Sequence, residues 1–527
     1  MKINKLDQEQ KKELSDTVAK SEVIKADNLE LEADEKYAHV KIKRSSAAVR
    51  GAVWAAINSI VPTLLNSLVF IITSRYLLPN DFGIVALAVS AVSLISAVAP
   101  AAMGEAIVQQ YNIKKSHLDT VFWLCMVSAV LLYAVLILFT PFIVSKMGQP
   151  AVSEFIPVLG LKLLFDLSAV VPNALITRAM SFHLIAFRTI TATIFSSIIC
   201  LTLLFNGYGI WALALSQLAV SVTSCIAVFY GAKWKPGVEV SIKALRDLSK
   251  YSIFASGNRF LQSMNLDQII IGTAIGPAAL GIYNFSKRLF QMLNDVIAGA
   301  LTSVSAALLS SLQNEKEKAR EAFLFATFAS SIVSFPSFVG LAAIAGTLIP
   351  FIFGDHWNAA IWPIRWFCLI GLMSCIGVIQ SSLINSQGKN NWWFYYQLIR
   401  QIFTIATIFL LRDQGITYIV MAIALQTVLF WPVTLVMVSK IINLRVTTYF
   451  RQFLEPLFAS AVMLLAIWLI DYYFTNKSAT VRLSSEVLVA MVIYTVTIFF
   501  LSREKLLLIA ESFLNRNKYA KKINPNV

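Results

Sequence analysis

The chain is short of charge: Asp, Glu, Lys and Arg make up only 14% of its 527 residues, where a soluble domain carries about a quarter. With 57% hydrophobic residues and a mean hydropathy of +0.70, that deficit excludes an ordinary soluble fold and indicates an all-α, polytopic membrane protein. Histidine is scarce as well. His39, His117, His183 and His356 lie in the hydrophilic N-terminal stretch or near loops and form no metal triad. The five cysteines sit inside apolar runs, none spaced with histidine as metal ligands, and read as small buried hydrophobes. There is no P-loop and no signal-peptide pattern, and residues 1–44 are hydrophilic and of mixed charge. A protein with no enzymatic activity, cofactor or metal is expected.

Long apolar runs dominate what remains. At about 20 residues per crossing they give about fourteen spans, beginning near Trp54, Phe82, Val121, Phe155, Thr189, Gly209, Tyr251, Leu280, Phe323, Ile361, Tyr395, Ile416, Phe453 and Val487. The loops between them alternate in charge. One side has Lys41, Lys43, Arg44 and Arg50, then Lys114 and Lys115, Arg178 and Arg188, the run from Lys233 to Lys250, Lys316 to Arg320, Lys389, Lys440 to Arg451, and the tail from Arg503. The other has Arg75, Lys146, Arg412, Lys477 and Arg482. Both termini are therefore expected in the cytoplasm. The formal net charge of +15 follows from this distribution and implies no nucleic-acid partner. Loops on the second side are roughly a dozen residues or fewer, too short for an outer catalytic domain. Trp357, Trp362, Trp392, Trp393, Tyr395 and Tyr396 fall at expected span ends and read as interfacial anchors.

A repeat connects the two halves. Pro79, Gly83 and Ile84 follow the first span as P-x-x-x-G-I, and Pro277, Gly281 and Ile282 follow the seventh in the same form. The expected organisation is a hydrophilic tail (1–50), an N-lobe of six spans (51–232), a basic linker (233–250), a C-lobe of six spans (251–440), an appended helix pair (441–502), and a basic interfacial tail (503–527).

The seventh and eighth spans carry charge through the apolar run. The seventh has Arg259, Gln262, Asn265 and Asp267. In the eighth, Asn284, Arg288, Gln291 and Asp295 fall on one helical face, with Lys287 and Asn294 beside them. A mid-membrane Arg or Lys costs roughly 2.5–3.5 kcal/mol on insertion scales, so this face is expected to line a polar cavity. Surplus positive charge there selects an anion, and the planar fork of Arg suits phosphate. Asp267 and Asp295 read either as ion-pair partners that release the arginines or as coupling sites. In the fourth span Lys162 and Asp166 are spaced for a salt bridge, with a structural or a transport role. Arg365 is expected to snorkel to the interface.

Residues 74–83 (SRYLLPNDFG), 266–272 (LDQIIIG) and 280–289 (LGIYNFSKRL) resemble the polysaccharide-transporter branch of the MOP exporter superfamily. These are the Wzx-type flippases, related to MurJ lipid II flippases and MATE exporters, and the likeness is nearest to exporters of the WzxC kind over about residues 50–440. The resemblance implies two pseudo-symmetric six-helix lobes around a central cavity, working by alternating access in the bacterial inner membrane. It also implies a lipid-linked oligosaccharide on undecaprenyl pyrophosphate as cargo, and polysaccharide polymerase and export machinery as partners. Arg288 matches the position that faces pyrophosphate in the lipid II relatives; Lys287 and the long N-terminal stretch depart from the pattern. The expected substrate residues are Arg288, Lys287, Arg259, Asn284 and Gln291, with Asp267, Asp295, Lys162 and Asp166 for ion pairing or coupling. A MATE-like drug exporter would need a net acidic cavity, and a membrane polymerase or ligase a sizeable outer loop.

Overall fold

The computed structural model describes residues 44–110, 113–248, 265–313, 315–474 and 477–506, with the side chains of 44–52, 55, 298–304 and 306–307 left aside. Arg259, Gln262, the start of the expected seventh span, the N-terminal stretch to residue 43 and most of the 503–527 tail lie outside these residues. In hydrocarbon a backbone must satisfy its own N–H and C=O groups, and a helix does so within one segment. Helices accordingly account for the regular structure among the described residues. In chain order they are α1 (Arg44–Tyr76), α2 (Pro79–Ser96), α3 (Met103–Gln109), α4 (Lys115–Met147), α5 (Val152–Gly160), α6 (Lys162–Ser168), α7 (Val170–Arg178), α8 (Phe182–Phe205) and α9 (Ile210–Ala232). After them come α10 (Leu266–Ala274), α11 (Pro277–Ser311), α12 (Lys316–Phe353), α13 (Ile361–Ser386), α14 (Asn390–Leu410), α15 (Ile416–Ile442), α16 (Val446–Tyr473) and α17 (Ala479–Leu501).

Among the described residues ten helices are long and apolar enough to cross a membrane, or eleven if α5–α6 and α7, bent by 41°, make one span. The expected count of about fourteen is not reached. Two of the remaining expected spans fall on α11 and α14, whose polar side chains lower their hydropathy; the third begins outside the described residues.

The chain divides into two compact units, one drawn from residues 1–66, 91–143 and 153–264, the other from 67–90, 144–152 and 265–527. In the first, α3 packs on α7, and α9 on α6, α7 and α8, around a core that includes Ile107, Leu118, Val121, Cys125, Val171 and Trp234. Residues 233–248, expected as a linker, are docked onto the start of α4. The Gly237 N–H donates to Asp119 Oδ1 (2.9 Å), the Ser241 N–H to Thr120 Oγ1 (3.0 Å), and the Trp123 indole to the Gly237 carbonyl (2.8 Å).

In the second unit α13 packs on α11, α12 and α15, while α16 and α17 pack on each other and on α12. An aromatic cluster of Phe70, Phe82, Phe285, Phe353 and Trp357 gathers the end of α1, the start of α2, α11 and the end of α12. The expectation that Trp357 is an interfacial anchor fails here. The short turn Asp355–Ala360 folds inward, leaving Trp357 0% exposed, stacked on Phe285 at 3.9 Å and donating to the Ser74 carbonyl at 2.7 Å. Trp362, at 57% exposure, stays outside and covers Arg365, whose Nε–H donates to the Ala342 carbonyl (3.2 Å). The C-terminal pair is held by a polar cluster. Thr347 on α12 donates to Glu486 Oε1 (3.1 Å), which also takes Arg482 Nε (3.3 Å), while Arg482 pairs with Asp471.

The two P-x-x-x-G-I motifs meet in this unit. A Cβ built on Gly83 would lie 1.7 Å from the Pro277 carbonyl oxygen, and one built on Gly281 would lie 1.7 Å from that of Pro79. Each glycine thus accepts the other motif's backbone, so α2 and α11 cross at their first turns with only hydrogen atoms between them.

Candidate functional site

Helix α10 packs against both α11 and α14, and the polar side chains of these three helices make up the site. Asp267 lies in the first turn of α10, where the exposed amide dipoles favour a carboxylate. Tyr283 and Lys287, one turn apart on α11, both reach it. The Tyr283 hydroxyl donates to Asp267 Oδ2 at 2.7 Å and Lys287 Nζ donates to the same oxygen at 2.8 Å. Asp267 is 9% exposed. Lys287, expected beside Arg288 as a phosphate ligand, is therefore committed to a neighbouring helix, its charge balanced and its ammonium tied.

Arg288, the next residue, points elsewhere. It is exposed and makes no hydrogen bond or ion pair among the described residues; Asp295, two turns along, is the carboxylate that acts on it electrostatically. Asn284 and Gln291 on the same stripe are half-buried, and Asp295 is exposed. Asn284 Nδ2 and Asn294 Oδ1 are buried with no hydrogen-bond partner among the described residues. The stripe read from the sequence is thus a helix face with one open guanidinium and unsatisfied amide groups around it.

Arg400 was missed by the sequence reading. It lies midway along α14, half-buried, its guanidinium without a hydrogen bond or ion pair among the described residues, and Gln397 one turn before has a buried, unpartnered Oε1. The signal was available, since an arginine far from either end of an apolar helix requires water or a ligand. It was overlooked because one basic residue among Leu, Ile and Phe makes no stripe.

Lys162 and Asp166 belong to the other unit and do not pair within 4 Å. Lys162 Nζ donates to Gln217 Oε1 at 3.2 Å, while Asp166 lines a cavity with Ser221 as its hydrogen-bonding neighbour. The salt bridge expected there is replaced by these contacts, because α9 offers each group a closer partner.

Comparison with known proteins adds to this picture. Residues 72–362 match the family described as polysaccharide biosynthesis protein. The succinoglycan biosynthesis transport protein ExoT of Rhizobium meliloti is 24% identical over 82% of this chain and 89% of its own. The lipopolysaccharide biosynthesis protein WzxC of Escherichia coli is 20% identical over 68% of this chain and 74% of its own. Among solved structures, the lipid II flippase MurJ in an inward closed conformation aligns with a TM-score of 0.70 at 13% identity, covering 87% of this chain and all of that one, which gives the fold. The family match takes in more than half of the 527 residues, and the chain belongs to the polysaccharide biosynthesis proteins.

Proposed function

We propose that this protein is a flippase. It moves an oligosaccharide linked to undecaprenyl pyrophosphate across the bacterial inner membrane by alternating access, for export of surface polysaccharide, and its termini are cytoplasmic. The movement makes and breaks no covalent bond, so no catalytic residue is assigned. The observation that carries the reading is Arg288, an exposed guanidinium without a partner among the described residues, on the polar stripe of the 35-residue helix α11. Such a group selects phosphate, to which it can donate two parallel hydrogen bonds.

In this reading Arg288 takes the pyrophosphate, with Asn284 and Gln291 flanking it on the same helix; Arg259, the further basic candidate from the sequence, lies outside the described residues. Asp295, two turns along the same helix, acts on Arg288 electrostatically without pairing with it, which leaves the guanidinium open to phosphate. The Lys287–Asp267 clasp joins α10 to α11 and gives the two helices a contact that transport can make and break. Drug export fits less well, because an organic cation would meet Arg288 rather than a carboxylate.

The test is the sidedness of lipid-linked oligosaccharide in sealed vesicles containing wild-type protein, Arg288→Ala, or no protein. Wild type should move the headgroup across, and Arg288→Ala should slow it by about tenfold or more, the value of one charge-assisted hydrogen bond. Equal sidedness with wild type and with empty vesicles, in an assay that responds to a known flippase, refutes the reading.

A further inference from the structure

Residues 233–248, within the first unit, pack one side onto α4 and leave the other open. Gly237 and Ser241 turn their backbone N–H groups to Asp119 and Thr120. Both carboxylates of the segment also face α4, Glu239 lying 3.7 Å from Lys115 and Asp247 3.8 Å from His117. Val238, Val240 and Ile242, at the alternate positions, point away and are 86%, 66% and 81% exposed. Lys235 and Lys243 flank this trio, exposed and without an ion pair among the described residues. The open side is thus apolar in the middle and basic at its ends.

The place of this side along α4 determines what meets it. Asp119 is the last charged residue of α4 before Lys146. The uncharged run between them is about 39 Å long at 1.5 Å per residue, enough for the ~30 Å hydrocarbon core, so its start marks the boundary between water and lipid. Trp123, Val127, Val130, Leu131 and Leu138 form an exposed apolar stripe along that run, and such a stripe on a membrane span faces hydrocarbon. Trp123, its first member, donates its indole N–H to the Gly237 carbonyl. The trio therefore lies where the stripe begins, at the depth of the lipid headgroups. An interfacial element buries its apolar face about 5–10 Å into the boundary between headgroups and acyl chains, and lysines beside it are drawn to anionic lipid.

We infer that the open side of residues 235–243 is a binding site for anionic phospholipid. Val238, Val240 and Ile242 enter the boundary between headgroups and acyl chains, while Lys235 and Lys243 hold lipid phosphates. Because Glu239 and Asp247 are turned to basic groups on α4, neither opposes the anion from the open side. The site is independent of what the protein carries, and it gives the first unit a fixed depth in the leaflet at the start of α4.

The experiment places an environment-sensitive fluorophore on Val240→Cys, or on Val238→Cys as a second reporter, in the full chain reconstituted in liposomes; the native cysteines are buried. Quenching is titrated with nitroxide-labelled phosphatidylglycerol and, separately, with phosphatidylcholine labelled at the same shallow acyl position. Both lipids should quench, and phosphatidylglycerol should reach half-quenching at a mole fraction about fivefold lower or less, since one lysine near an anionic surface is worth roughly that factor. Salt at about 1 M, where the screening length is only about 3 Å, should narrow the difference. Lys235→Gln/Lys243→Gln should bring the two lipids level while leaving quenching by phosphatidylcholine unchanged, because the apolar trio still inserts. A fluorophore that neither lipid quenches lies in water or beneath another protein, and overturns the site. Equal quenching by the two lipids in the chain that keeps both lysines overturns the recognition of anionic lipid.

Discussion

Replacing Gly281 by alanine puts a methyl carbon 1.7 Å from the carbonyl oxygen of Pro79, and replacing Gly83 does the same at Pro277. A carbon and an oxygen come to rest at about 3.3–3.6 Å, so the helices must separate by roughly 1.5 Å. The obstacle is main chain in a first helical turn and cannot rotate aside as a side chain would. Overpacking of a tight contact costs about 1–3 kcal/mol, and a backbone obstacle puts each substitution near the top of that range. A loss of that size corresponds to a fall of roughly 5–10 °C in apparent Tm for a unit of this length. Scanning fluorimetry in detergent, at one scan rate, measures it. Gly377→Ala is the control, because no atom lies within 4 Å of the position its Cβ would take. The double variant Gly83→Ala/Gly281→Ala should lose less than the sum of the singles, since one separation makes room for both methyls. If Gly281→Ala melts within about 1 °C of Gly377→Ala, the reciprocal contact is not as tight as described and the reasoning fails.

Other substitutions test the remaining contacts. Asp267→Asn leaves Lys287 without its carboxylate and should destabilise by about 3 kcal/mol in thermal or denaturant unfolding, with Asp267→Asn/Lys287→Met recovering most of the loss. Trp357→Ala empties a site with 0% exposure and should cost about 3–5 kcal/mol by the same measurement, whereas Trp362→Ala at the surface should change little. Arg482→Ala strands Glu486, 1% exposed, and should cost about 2–4 kcal/mol; adding Glu486→Gln should return the melting point close to wild type.

Helical membrane architecture was legible because it is written in hydropathy, a local property of the chain. The polar stripe on α11 was legible for the same reason, since helical periodicity alone brings Asn284, Arg288, Gln291 and Asp295 to one face. Pairing between helices was not. Nothing local assigns Lys287 to Asp267, twenty residues away, rather than to a ligand, because the choice depends on how α10 meets α11. Trp357 misled for a related reason: a tryptophan near the end of a span has the same composition signal whether its turn folds outward to the interface or inward to Ser74. The P-x-x-x-G-I motifs could be found by comparing the halves, yet their glycines read as turn formers. That they are the contact between the repeats is a property of two helices at once.

The docking of residues 233–248 bears on how the polypeptide can be divided. A fragment ending at Ala232 lacks Trp234, 5% exposed in the core of the first unit, and leaves Asp119, Thr120 and Trp123 without the partners that Gly237 and Ser241 provide. One ending after residue 248 keeps them all. For expression as two complementing chains, or for placing a protease site or fluorescent insertion, this connection belongs to the N-terminal piece, and a tag put near Gly237 disrupts packing rather than decorating a tether.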